Sequence, residues 1–317
     1  MTYGNGSHRY ELVEGWAKLP AGWSFLDVGG LAVDAQDRLY VFNRSAHPVM
    51  VFDRSGELLS SWGEGIFSRP HGIRIARTGL IWCTDDGSHV VRKFSPEGEL
   101  LMTLGTEGKP SDTGYVEKPD LLASLDTIKR GGAPFNRPTG VALSSDGDVY
   151  VTDGYGNARV HKFDARGKLL FSWGEPGTAP GQFRLPHNVW VDRNERVWVP
   201  DRENSRVQIF DSHGAFVTEW TTVVRPTDVF IDSEDVVYIP EIGHVGDAGP
   251  RVNLFTIDGT LIANWGCQPK DHRTDLFVSP HAIAVDSHGD VYVGEVAMTH
   301  SGIDRGGRVV QKFARIR

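Results

Sequence analysis

The chain has 317 residues, with 33 Lys and Arg against 41 Asp and Glu, a formal net charge of −8. That balance supplies no basic stripe for a nucleic-acid backbone and no polybasic or amphipathic signature for a membrane surface. No apolar stretch approaches the roughly 18 residues of a spanning helix or a signal-peptide core, and two cysteines, Cys83 and Cys267, are too few for a disulfide framework, so a reducing, cytoplasmic setting is expected.

From the N-terminus, "RYELVEGW" reads as a lone strand ending at Trp16. Six copies of one phrase follow: "VGGLAVDAQDRLYVFN", "PHGIRIARTGLIWCTD", "PTGVALSSDGDVYVTD", "PHNVWVDRNERVWVPD", "PTDVFIDSEDVVYIPE" and "PHAIAVDSHGDVYVGE". Each copy alternates apolar and polar residues, turns at an Asp/Asn/Gly cluster, and continues into two more short apolar runs. This is the signature of four consecutive antiparallel strands. Four strands form one propeller blade, so residues 1–317 are expected to fold as a single all-β domain, a six-bladed β-propeller. The outermost strands of copies one to five end at Trp62, Leu104, Trp173, Trp220 and Trp265, whereas copy six stops after "GRVVQKFARIR". "RYELVEGW" matches "GKLLFSWG" and should supply the missing fourth strand, closing the ring. The long gap between copies two and three places an insertion at about residues 107–136. Within it, "PDLLASLDTIKRG" reads as a short helix, with Pro119 near its start and Gly131 after its end.

The second position of the phrase runs Gly29, His71, Thr139, His187, Thr227, His281. Alternate blades of a six-fold ring lie about 120° apart, so His71, His187 and His281 are placed to converge. Three neutral imidazoles with an open fourth position are an expected zinc ligand set. A second ring ends the second strand: Asn43, Asp85, Asp153, Asp201, Glu241 and Glu295. Its regularity points to a structural role. The residues just after it do not repeat, and among them Arg44, Tyr155 and Arg202 are the functional candidates. An arginine offers a fixed fork for a carboxylate, and a tyrosine beside a cation can act as a base.

From Pro138 to Phe210 the chain reads "PTGVALSSDGDVYVTDGYGNARVHKF", then "GQFRLPHNVWVDRNERVWVPDRENSRVQIF", and here it resembles the peptidyl-α-hydroxyglycine α-amidating lyases, six-bladed propellers of the NHL-repeat type. The likeness extends over essentially all six blades. It implies catalytic zinc on His71, His187 and His281, an active-site tyrosine at Tyr155 in "DGYGNAR", and active-site arginines at Arg44 in "VFNRSAH" and Arg202 in "DRENSR". The implied reaction cleaves a carbinolamide to an amide and glyoxylate. The family's disulfides are absent, with Gly156 where one of their cysteines would stand. A methionine two residues before the last zinc histidine is Ser279. The aspartate just after that histidine, which would help bind a structural calcium, is Ala282, so calcium is expected to bind weakly or not at all.

The expected function is that of a zinc-dependent lyase acting on a small-molecule carbinolamide or related α-hydroxy-acid derivative. One alternative is a zinc hydrolase of an ester, lactone or amide on the same histidines. Another is a non-catalytic interaction module built on the same repeats.

Overall fold

The computed structural model describes residues 1–243, 248–266 and 276–317. The fold is all-β, a six-bladed β-propeller with four antiparallel strands per blade. Blade two shows the pattern: Pro70–Ile75, Ile81–Asp85, Val90–Phe94 and Leu100–Gly105 pair in chain order as a meander. The second strands Leu39–Asn43, Ile81–Asp85, Val149–Asp153 and Val197–Asp201 are buried at every position. The fourth strands, such as Leu58–Trp62 and Phe216–Trp220, are largely exposed. Aspartates set the hairpins. Asp34, Asp192, Asp232 and Asp286 each accept the backbone N–H groups two and four residues on, which fixes the turn before the second strand begins.

Two compact units divide the chain, residues 1–66 with 227–317, and residues 67–226. The second unit holds blades two to four. Its cores gather Trp82, Phe135, Val151 and Phe163 in one cluster and Tyr150, Val199 and Phe210 in another. The insertion at 107–136 belongs here. Its helix is shorter than the sequence pattern suggests, Leu121–Leu125, with the Asp120 side chain accepting from the Ala123 N–H as N-cap. Leu125 and Ile128 pack with Leu185 against Tyr155.

The first unit holds the other three blades. Here the N-terminal strand His8–Val13 pairs antiparallel with the C-terminal strand Val310–Ile316, as the repeat alignment requires. A further strand, Thr2–Asn5, pairs with His8–Val13 and makes this sheet five-stranded, an addition that the repeat gives no reason to expect. Trp16 lies beyond the strand end, not in it, yet makes the contacts of its counterparts. It meets Tyr292 of its own blade and Phe52 of blade one, as Trp173 meets Tyr150 and Phe210. Of the two cysteines, Cys83 is a buried free thiol in a second strand, whose pKa burial pushes up. Cys267 lies outside the described residues.

Deleting residues 1–18 removes the fully buried Tyr10 and the buried Trp16 and bares the edge of the C-terminal strand. Loss of two such aromatics, at about 3–5 kcal/mol each, approaches the whole stability of a typical domain. The truncated chain should therefore aggregate or melt well below the full chain. A soluble truncation melting within a few degrees of it would refute this closure argument.

Candidate functional site

Four of the six ring positions are held at a kink in a first strand. Pairing between first and second strands slips by one residue across Val28/Gly30, Pro70/Ile73, Pro138/Gly140 and Pro280/Ala282. The bulges therefore fall at Gly29, His71, Thr139 and His281. In blade four an isolated Pro186–Asp201 bridge precedes the Trp190–Trp198 pairing and brackets His187 in the same way. A bulge leaves its extra residue outside the ladder and re-aims its side chain, which frees the second position to vary from blade to blade.

The second ring supplies the anchor. Asp85 accepts the backbone N–H groups of Ser68 and Arg69, just before His71. Asp201 does the same for Arg184 and Leu185, before His187, and Glu295 for Val278 and Ser279, before His281. Buried arginines Arg92, Arg206 and Arg305 pair with these three carboxylates. Burial pushes the Asp201 and Glu295 carboxyls above the usual carboxylate range, against the pull of these donors. The ring of acids is structural, as its regularity implies.

In residues 67–226, His71, Tyr155, His187 and Arg202 come together, all buried. The Tyr155 hydroxyl lies 3.3 Å from His71 Nε2, 3.2 Å from His187 Nε2 and 3.4 Å from an Arg202 guanidinium nitrogen. His71 Nδ1 donates to the Thr139 carbonyl at 2.7 Å, so its Nε2 carries the lone pair. The Thr139 hydroxyl in turn lies 2.8 Å from the carbonyl of Pro186, the residue before His187. One threonine thus orients one histidine and tethers the approach to another. Gly72 makes this possible, because a Cβ there would come within 2.6 Å of the same Thr139 carbonyl oxygen.

Arg202 also bonds Glu203, which pairs with Arg225. Arg69 and Arg137 stand over the Tyr155 ring at 5.4 and 5.6 Å. Both face Asp86, and Arg137 also bonds the Tyr115 hydroxyl from the insertion. These contacts and the Thr139 tether are not visible in the sequence repeat, since they depend on bulge geometry and on a non-repeated insertion.

In the other unit, the His281 imidazole donates from Nδ1 to the Gly29 carbonyl at 2.9 Å, which again places the lone pair on Nε2. Arg44 stands beside the same segment. Its backbone N–H donates to the Asp27 carbonyl, and its guanidinium bonds Thr299 Oγ1 and faces the Asp27 carboxylate at 3.6 Å. His71 and His187 in residues 67–226, and His281 in the other unit, are buried metal-ligating side chains. Histidines of this kind could hold a metal ion. Neutral imidazoles with Nδ1 fixed on a backbone carbonyl are the donors that suit a borderline cation such as zinc.

Fold and site residues define an NHL-type β-propeller with buried histidines able to hold a metal. The NHL repeat family matches residues 135–163. Human NHL repeat-containing protein 3 is 30% identical over 96% of this chain and 84% of its own length. A probable peptidyl-alpha-hydroxyglycine alpha-amidating lyase of Caenorhabditis elegans is 27% identical over 85% of this chain and 79% of its own. A streptogramin B lyase structure superposes with a TM-score of 0.60 over 97% of this chain and 88% of that one, at 16% identity, which is a likeness of fold. The chain belongs to the family of NHL-repeat propellers that holds NHL repeat-containing protein 3 and the peptidyl-α-hydroxyglycine α-amidating lyases.

Burial works to raise the Glu203 carboxyl, but Arg202 and Arg225 outweigh it and hold it below the usual range. A depressed folded-state pKa stabilises the fold above the unfolded value, about 4.3, and that contribution is lost as pH falls through the folded value. Glu203→Gln leaves two arginines uncompensated and should cost about 3–5 kcal/mol at neutral pH, with the gap to wild type closing in acid below pH of about 4. Urea unfolding of both proteins across that range measures it, and a gap independent of pH would contradict the pairing.

Proposed function

We propose that this protein is a zinc-dependent lyase that cleaves a carbinolamide, an N-acylated α-hydroxyglycine or a close analogue, to an amide and glyoxylate. The observation that carries this reading is the Tyr155 hydroxyl set between His71 and His187, in a chain related over most of its length to proteins named amidating lyases. His71, His187 and His281 would hold the metal, which when bound supplies a Lewis acid for the substrate's oxygens.

The remaining work falls to the chain's own groups. The Tyr155 oxygen takes the proton of the substrate hydroxyl. As the carbonyl of glyoxylate forms, the C–N bond breaks with its electron pair leaving on nitrogen, and the amide nitrogen receives the proton. Arg202, fixed by Glu203, orients Tyr155 and offers a permanent positive charge beside the developing negative charge. Arg44, whose guanidinium is held by Asp27 and Thr299, receives the carboxylate that becomes glyoxylate. Leu125, Ile128 and Leu185, packed on Tyr155, exclude water from the face of the phenol ring.

Two measurements test the reading. Elemental analysis should find about one zinc per chain after metal-replete expression, and His187→Ala should lose it, because three ligands are the expected minimum for an open catalytic site. No transition metal in the wild type, or unchanged binding in the variant, would defeat the metal assignment.

Tyr155→Phe should keep metal and fold while lowering kcat for glyoxylate release from α-hydroxyhippurate by about 10²-fold or more, the scale of a positioned acid–base group. If Tyr155 serves packing alone, the variant will melt earlier but turn over normally per folded molecule. Activity confined to esters or lactones, with no glyoxylate formed, would replace the lyase by a hydrolase.

A further inference from the structure

The first strand of blade two carries His71 near one end, that of blade four follows His187, and both run on into a cavity. Arg74 lies three residues beyond His71, and Trp190 three beyond His187, about 10 Å along an extended chain. Here blades two to four surround a cavity of about 590 Å³, within the size range of small-molecule sites. Ile75, Leu80, Leu143 and Val191 make its walls apolar. Its polar groups are predominantly cationic. The Lys93 ammonium lies over the Trp82 ring at 5.4 Å, and the Arg77 guanidinium donates to the Ser145 carbonyl at 3.0 Å. Among the described residues neither Lys93 nor Arg77 has a carboxylate within ion-pair distance.

The acids of the cavity are engaged elsewhere. Asp192 accepts from Arg196, from the Trp198 indole and from two turn amides, and Glu195 accepts the Ser145 N–H. A chain of net charge −8 therefore presents uncompensated positive charge at the rim of an apolar hollow. Cations laid against aromatic faces beside an apolar floor recognise an anion carried on a flat hydrocarbon body.

We propose that this cavity is a second ligand site, separate from the histidines, that binds a small organic anion: a carboxylate or phosphate head on a planar apolar body. Lys93 and Arg77 hold the head, and the wall of Ile75, Leu80 and Leu143 takes the body. Nothing in this assignment depends on the lyase reading.

Isothermal titration with 2-naphthoate, 1-naphthyl phosphate and neutral 2-naphthamide tests the site. At least one anion should bind once per chain with Kd below about 1 mM, and the amide at least tenfold more weakly; the tighter anion identifies the head group. The double variant Lys93→Gln/Arg77→Gln alters side chains at the rim, so it should fold, which its melting curve checks. It should lose at least tenfold in anion affinity and leave the amide unchanged. His187→Ala should retain anion binding, which separates this site from the metal centre. Anions that bind no better than the amide, an unchanged double variant, or binding lost with His187 would each overturn the proposal.

Discussion

A buried carboxylate that grips two backbone amides organises this protein. Asp85, Asp201 and Glu295 each end a second strand and fix the two residues that lead into a histidine. Carboxylates so far from water persist because each accepts several hydrogen bonds and faces a buried arginine. In blade three Asp153 accepts the Asn136 N–H and the Asn157 side chain, and His161 stands 3.5 Å away where blades two, four and six place arginine. The repeated acids therefore do in polar terms what the apolar second strands do in packing terms. They make the start of each first strand rigid enough for a bulge to hold one side chain in a chosen direction.

Much of this was legible in the sequence because its chemistry repeats. The blades, the turn aspartates, the alternation of His71, His187 and His281 with Thr139 and Thr227, and the closing strand at His8–Val13 all follow from one phrase read six times. The bulges were not legible, because they fall at the start of first strands that are buried nearly throughout, where no alternation of apolar and polar residues exists for a one-residue slip to interrupt. The second role of Thr139 was hidden for the same reason. A threonine at a ring position reads as a histidine missing, yet its carbonyl orients His71 and its hydroxyl tethers Pro186. The strand Thr2–Asn5 has no counterpart in the other blades, so no repeat announces it.

The candidate residues outside the ring show a different limit. Arg44, Tyr155 and Arg202 stand out because they follow a repeated acid without themselves repeating. Their surroundings come from segments that no repeat governs. Glu203 and Arg225 fix Arg202, Asp27 and Thr299 fix Arg44, and the insertion brings Tyr115 to Arg137 beside the Tyr155 ring. A regular scaffold thus positions the histidines, and irregular excursions set the polarity around the residues that do not repeat. Pocket chemistry can change through the excursions while the scaffold stays constant.

The hydrogen bonds from His71 to the Thr139 carbonyl and from His281 to the Gly29 carbonyl accompany an alternation with a parity of its own. In both, a histidine at one ring position leans on the backbone of the equivalent position in the following blade. Histidine and non-histidine ring positions alternate along the copies, and an alternation closes on itself only around an even number of units. Gain or loss of a single blade would set two histidines, or two acceptors, side by side. Growth of this architecture by duplication therefore has to proceed in pairs of blades if the histidine set is to survive.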